Sequence, residues 1–291
     1  MATIAKTIVA TGVSSGLGFD AIKLLLQQSQ AYKVILGARN TERTIEAFNA
    51  LQYDKAASSV TVLPLELSNL KDVKSFSQQV LDKVGQDKID YLLLNAGISG
   101  LSEGPGPYGS KWCEAFVVNH LSQHYLTHLL KDKLIASKTR IAITSSGAVR
   151  RVSDATTLEG ILKAGSGEGI HSIYGASKFV QLLGAHWWRR ELTGKCDVVA
   201  VSPGLVPNTG LGNQMNLSMT MTDAKPTEEG GRSVLAALTR SDFPEDPDQI
   251  FLTSWGEWWD KKVYEKSLDK KLQDKWSPSK DEIEKEAGIS S

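Results

Sequence analysis

The chain predicts an α/β fold: a single domain on a doubly wound sheet, seven strands and mainly parallel, with helices on both faces. Three observations predict it. Short apolar runs alternate with longer segments whose apolar residues recur every three or four positions, the pattern of βαβ units. The first apolar run passes straight into a glycine-rich turn. No internal repeat and no Pro/Ser linker divides the 291 residues, a length that one large α/β domain can hold.

The candidate strands, in order, are 7–10, 33–37, 60–65, 89–94, 140–145, 198–202 and 250–253. Most are continuous apolar runs, as expected of parallel strands covered on both faces. Segments 21–26, 73–84, 112–130 and 179–192 carry the helical spacing. Two stretches break the rhythm. Residues 147–173 contain Gly160, Gly165, Gly167 and Gly169, and residues 205–226 contain Met215, Met219 and Met221. Both follow the C-terminal ends of strands, where open α/β sheets bind ligands, and read as functional lids or mobile loops. A catalytic domain is expected over 1–259, followed by a charged helical tail, 260–291, lying as a solvated surface helix.

Charge excludes some functions. Thirty-three basic and 33 acidic residues cancel, so no global field points to nucleic acid or a membrane surface. No apolar run approaches the ~18 residues of a membrane span, and neither a signal peptide nor a lipidation or peroxisomal signal is expected. Cys113 and Cys196 show neither disulfide nor metal spacing, which suits a reducing compartment and a cytoplasmic protein.

The turn reads Thr11-Gly12-Val13-Ser14-Ser15-Gly16-Leu17-Gly18, between a strand and a helix. Glycines permit a tight turn and close approach of a pyrophosphate, and the helix N-terminus offers N–H groups to phosphates. The second strand ends Gly37-Ala38-Arg39-Asn40, with no carboxylate until Glu42. Arg39 suits a ribose 2′-phosphate, and Ser14 could add a donor, so NADP(H) is favoured over NAD(H). Tyr174 and Lys178, four residues apart, share one helix face. A nearby ammonium favours the phenolate and can bring a tyrosine into the range of an acid/base catalyst.

Together, Thr-Gly-x3-Gly-x-Gly, Asn95-Ala96-Gly97-Ile98, Tyr174-x3-Lys178 and Pro203-Gly204 resemble the ordered signature of the short-chain dehydrogenase/reductase family, from residue 4 to about 255. The long segment before Tyr174 is similar to the subgroup with carbonyl reductases, retinol dehydrogenases and protochlorophyllide reductases. The resemblance implies a Rossmann fold that contacts the cofactor through Gly12, Ser14, Ser15, Gly16, Leu17, Gly18, Arg39, Glu66, Leu67, Asn95, Ala96, Gly97, Tyr174, Lys178, Pro203, Gly204, Val206 and Thr209. Glu66-Leu67 stands where the family has Asp-Leu or Asp-Val, and Asn208 where it often has threonine, with Thr209 one position later.

For the chemistry, the resemblance implies Tyr174 as acid/base, Lys178 as its pKa modulator and a ribose ligand, and Ser146 as the group orienting the substrate oxygen. Ser146 lies 28 positions before the tyrosine, a gap the subgroup's insertion explains, and Ser145 is its alternative. Asn119 completes the set; in relatives this asparagine holds a water that extends a proton relay from the lysine. His120, His124 and His128 share a helix face, but no carboxylate or cysteine completes a ligand set, and no metal is expected. Trp187, Trp188, Trp255, Trp258 and Trp259 read as core, tail-packing or interface residues.

The expected enzyme transfers hydride between NADP(H) and a ketone, aldehyde or secondary alcohol, with an apolar small molecule as substrate. Alternatives are reduction of a conjugated C=C bond on the same site, or a non-redox NADP(H)-binding protein. No nucleic-acid or membrane partner is expected, and the chain is a monomer or a homodimer.

Overall fold

The structure is a computed structural model that describes residues 5–290. The first half runs β1 Lys6–Thr11, α1 Gly16–Leu26, β2 Tyr32–Ala38, α2 Thr41–Asn49, β3 Ser59–Pro64, α3 Leu70–Val84 and β4 Tyr91–Leu94. A short helix, α4 (Glu114–Phe116), then passes through a π-helical turn, Val117–Leu121, into α5 (Ser122–Ser137). After these come β5 Arg140–Thr144, α6 Leu158–Leu162, α7 Ile170–Glu191 and β6 Asp197–Val201. The chain closes with α8 Gly210–Gln214, α9 Thr227–Thr239, β7 Phe251–Leu252, α10 Lys270–Trp276 and α11 Lys280–Glu286.

The seven strands lie in the order β3-β2-β1-β4-β5-β6-β7, and every pairing is parallel. This is the doubly wound Rossmann arrangement. The order reverses between β1 and β4, so the crevice for a ligand opens at their C-terminal ends. Ile8, Ala10 and Leu93 face one core layer, while Val9, Leu92 and Leu94 face the other. Two polar helices absent from the sequence reading, α2 and α9, complete the layers. Gly230 and Gly231 let α9 approach α1 closely, since a Cβ on Gly231 would stand 2.8 Å from Asp20 Cβ.

The insert 147–173 is anchored: Leu158, Leu162 and Ile173 are fully buried. Segment 205–226 holds the short helix α8. The tail departs from the solvated surface helix expected of it. Tyr264, Trp276 and Ile283 enter the main core, Trp276 beside Trp112 and Phe116. Tyr125 donates to Glu284 Oε1 at 2.7 Å, and Lys74 pairs with the same carboxylate at 3.2 Å. A few well-spaced apolar residues among many charges suffice to dock it. No helix among the described residues is long and apolar enough to cross a membrane.

Candidate active site

Gly12 and Gly16 have φ of +66° and +60°, a region that favours glycine. A Cβ on Gly12 would overlap the Ala96 backbone, and one on Gly18 would overlap the Asn95 amide. No side chain caps the first turn of α1, so its N–H groups and positive dipole end are available to an anion. The turn is braced from behind. Thr11 Oγ1 accepts from the N–H groups of Asn95 (3.2 Å) and Ala96 (3.3 Å). Asn95 Nδ2 donates to the Gly12 carbonyl at 2.6 Å, and Thr144 donates to Asn95 Oδ1 at 3.0 Å. Asn95 thereby ties the ends of β1, β4 and β5 together.

These residues line one cleft of about 1010 Å³. Every residue that the sequence assigned to the cofactor lies on its wall, from Gly12 through Arg39, Leu67 and Gly97 to Val206 and Thr209. Arg39 is exposed just past β2 and makes no hydrogen bond or ion pair among the described residues. Glu66 turns back to accept from Ser68 N–H at 3.0 Å. Thr209 Oγ1 caps α8 through Gly212 N–H at 2.9 Å. The donor set suits a dinucleotide phosphate: a glycine cradle, an uncapped helix end and a free guanidinium.

Ser146, Tyr174 and Lys178 face the same cleft. The Tyr174 hydroxyl lies beside Ser146, whose Oγ accepts from Ala148 N–H at 3.1 Å. Ser145 Oγ is buried with no partner among the described residues. Burial raises the Tyr174 pKa, while the Ser146 hydrogen bond and the Arg151 guanidinium pull it back. Lys178 is 2 % exposed, and burial pulls its pKa down to about 7. Its Nζ donates to the Thr144 carbonyl (2.8 Å) and Gln181 Oε1 (3.1 Å), and stands 6.0 Å from the Tyr174 ring centroid. A Cβ on Gly97 would press within 3.2 Å of that ammonium, which explains the glycine of the Asn-Ala-Gly motif.

Asn119 lies behind the cleft wall, fully buried in the π-turn. Its side chain clamps Ile98, accepting from the N–H at 2.8 Å and donating to the carbonyl at 2.9 Å, and also donates to Ser177 at 2.9 Å. The three helix histidines hold the tail: His120 Nε2 meets the Trp276 carbonyl at 2.8 Å, and His124 Nε2 the Pro278 carbonyl at 2.9 Å. His128 Nε2 contacts His124 Nε2 at 3.1 Å and the Pro278 carbonyl at 3.2 Å.

Residues 6–158 match the sequence model of the short chain dehydrogenase family. A short-chain dehydrogenase/reductase from Pestalotiopsis microspora, GME11359, is 56% identical over 97% of this chain and 99% of its own. The chain belongs to the short-chain dehydrogenase/reductase family. Among solved members, an NADPH-bound carbonyl reductase from chicken fatty liver superposes with a TM-score of 0.68 at 18% identity, over 88% of this chain and 94% of that one. An alcohol dehydrogenase from Thermococcus sibiricus, complexed with 5-hydroxy-NADP, gives 0.65 at 20% identity, over 86% and 95%.

Several residues of this family member's cleft carry no sequence signal. Arg150 and Arg151 line the cleft from the insert, Arg151 acting on Tyr174 and Arg150 standing 5.4 Å from the Trp259 ring. Trp255 and Trp259, read as packing residues, stand in the cleft wall. Of the three methionines of 205–226, Met215 lines the cleft, while Met219 and Met221 face solvent. Gln181 sits one turn past Lys178, where glutamine is an ordinary helix residue.

Proposed function

We propose that the chain is an NADP(H)-dependent oxidoreductase that interconverts a ketone or aldehyde and the corresponding alcohol, with Tyr174 as acid/base. The observation that carries this reading is the Tyr174 hydroxyl, set beside Ser146 in the cleft that the glycine cradle opens. When bound, the dinucleotide supplies or accepts the hydride. Tyr174 gives its proton to the developing alkoxide, Ser146 orients that oxygen, and the Lys178 ammonium stabilises the phenolate left behind. Arg39, free at the end of β2, receives the 2′-phosphate. The NADPH and 5-hydroxy-NADP of the two similar structures agree with that choice.

The substrate is apolar. Leu205, Leu211, Met215, Leu217, Trp255 and Trp259 line the cleft. Both cysteines are free and buried, in keeping with a reducing compartment. The test is NADPH oxidation by the purified protein against lipophilic ketones, aldehydes and enones. Turnover of ketones or aldehydes that stops with Tyr174→Phe supports the reading. Turnover confined to the C=C bond of enones, or none at all while NADPH binds, overturns it.

A further inference from the structure

The group behind the catalytic lysine is a side chain. Lys178 Nζ donates to Gln181 Oε1 at 3.1 Å, and Gln181 Nε2 donates to the Asn119 carbonyl at 2.7 Å. The amide orientation is fixed by its partners, because the ammonium can only donate and the carbonyl can only accept. Gln123 Nε2 reaches the same carbonyl at 3.1 Å. A carbonyl oxygen has two lone pairs; Gln181 takes one, while Gln123 divides its two N–H groups among the carbonyls of Asn119, Ala96 (2.9 Å) and Val118 (3.1 Å). The Asn119 side chain is filled, its oxygen by Ile98 N–H and its two N–H groups by Ile98 and Ser177. The Asn119 side chain therefore has no acceptor left, and Gln181 stands between Lys178 and the Asn119 main-chain carbonyl, where the resemblance implies a water. Lys178, Gln181 and Asn119 are all buried, and no carboxylate pairs with Lys178 among the described residues.

We propose that Gln181 is a positioning residue of the catalytic pair: its amide links the Lys178 ammonium to the Asn119 carbonyl, holds the ammonium in place, and closes the rear of the site to a proton-carrying water. An amide accepts from the lysine but does not pass a proton onward as water does. The proton that Tyr174 gives to the alkoxide is then replaced from solvent at the cleft mouth. Two of the three ammonium N–H groups are engaged at the rear, by Thr144 and Gln181, which aims the third toward the cleft. The proposal rests on the redox reading of Tyr174 and Lys178. The charged and titratable neighbours are few: Arg151, itself bonded to His171 at 3.3 Å, acts on Tyr174 from the insert.

The test compares Gln181→Leu with Gln181→Ala. Leucine keeps the volume and removes both polar partners, whereas alanine leaves a polar space that a water can enter, bonded to Lys178 and to the Asn119 carbonyl. Lys178 ionisation is followed by the NMR shift of its ε-carbon in protein carrying isotope-labelled lysine, each variant read against the same variant carrying Lys178→Met. Leucine deprives the ammonium of an acceptor, so Lys178 should lose its proton about one pH unit lower, and turnover of a ketone that the parent reduces should fall tenfold or more. Alanine should stay near the parent. A purely packing role predicts the reverse order, with leucine near the parent and alanine impaired, and that result overturns the proposal. Should the leucine variant fail to fold, Gln181→Glu decides. It keeps the acceptor and adds a negative charge beside the ammonium, so Lys178 should hold its proton to higher pH, and an unmoved titration overturns the proposal. Absence of ketone turnover in the parent would count against the redox reading, while the titration, which needs no substrate, still decides the role of Gln181.

Discussion

Replacing Lys178, the lysine proposed to act beside Tyr174, should make the protein inactive and more stable. Lys178 is a fully desolvated cation with two uncharged acceptors and no counter-ion among the described residues. Burial alone pulls its pKa from 10.5 to about 7. The folded protein thus holds this proton less tightly than the unfolded chain. Its contribution to stability is complete above pH 10.5, is lost as the pH falls toward 7, and stays lost below that. That fall corresponds to about 5 kcal/mol at neutral pH. Lys178→Met keeps the stem and removes the charge, leaving Gln181 Oε1 and the Thr144 carbonyl without this donor, at about 1–2 kcal/mol each. The net gain is about 1–3 kcal/mol, which in a chain of this size raises the melting temperature by about 2–5 °C. Thermal melts of parent and variant, without added nucleotide, should show the variant ahead near pH 7, the gap closing as the pH rises and the order reversed by about pH 10. A variant that melts lower than the parent near pH 7, or a gap that does not change with pH, would refute the reasoning.

Arg39→Asp should weaken NADPH by on the order of 2 kcal/mol while leaving NADH little changed, because a charge-assisted contact with the 2′-phosphate becomes repulsion. Fluorescence titration of both nucleotides checks this, and equal losses would remove Arg39 from that role. Burial pushes the His120 pKa down to about 4, so the ring is neutral in the fold, and stability present above the ordinary value of 6.5 is lost as the pH falls toward 4. His120→Gln keeps a donor for the Trp276 carbonyl and cannot titrate. Its urea midpoint should therefore fall less steeply than the parent's between those pH values, and parallel curves would mean that the ring does not resist protonation.

The sheet was legible because its strands are uninterrupted apolar runs: Val198 to Val201, for instance, has no other plausible place than between two helix layers. The glycine cradle was equally legible, since Gly12 and Gly18 stand where a Cβ has no room. β7 was anticipated over four residues but pairs over two, Phe251 and Leu252, as edge strands often do. Other features lie beyond local pattern. The docking of the tail depends on Trp276 and Ile283 meeting a helix face 150 residues earlier in the chain, while charges dominate the sequence around them. The histidines at four-residue spacing have their partners among tail carbonyls, which sequence does not display. Gln181 and Arg151 reach the catalytic pair only through the fold, one from a helix turn and the other from an insert.

The central claim is that Tyr174 donates the proton that completes carbonyl reduction. The measurement that tests it most directly is single-turnover oxidation of bound NADPH by Tyr174→Phe, alongside the variant's affinity for NADPH. The hydroxyl is the only atom removed, so binding should stay within about twofold while the rate falls roughly 10²–10⁴-fold, the scale of general acid catalysis. A variant that binds NADPH normally and still reduces the same ketone at most of the parent rate would contradict the claim.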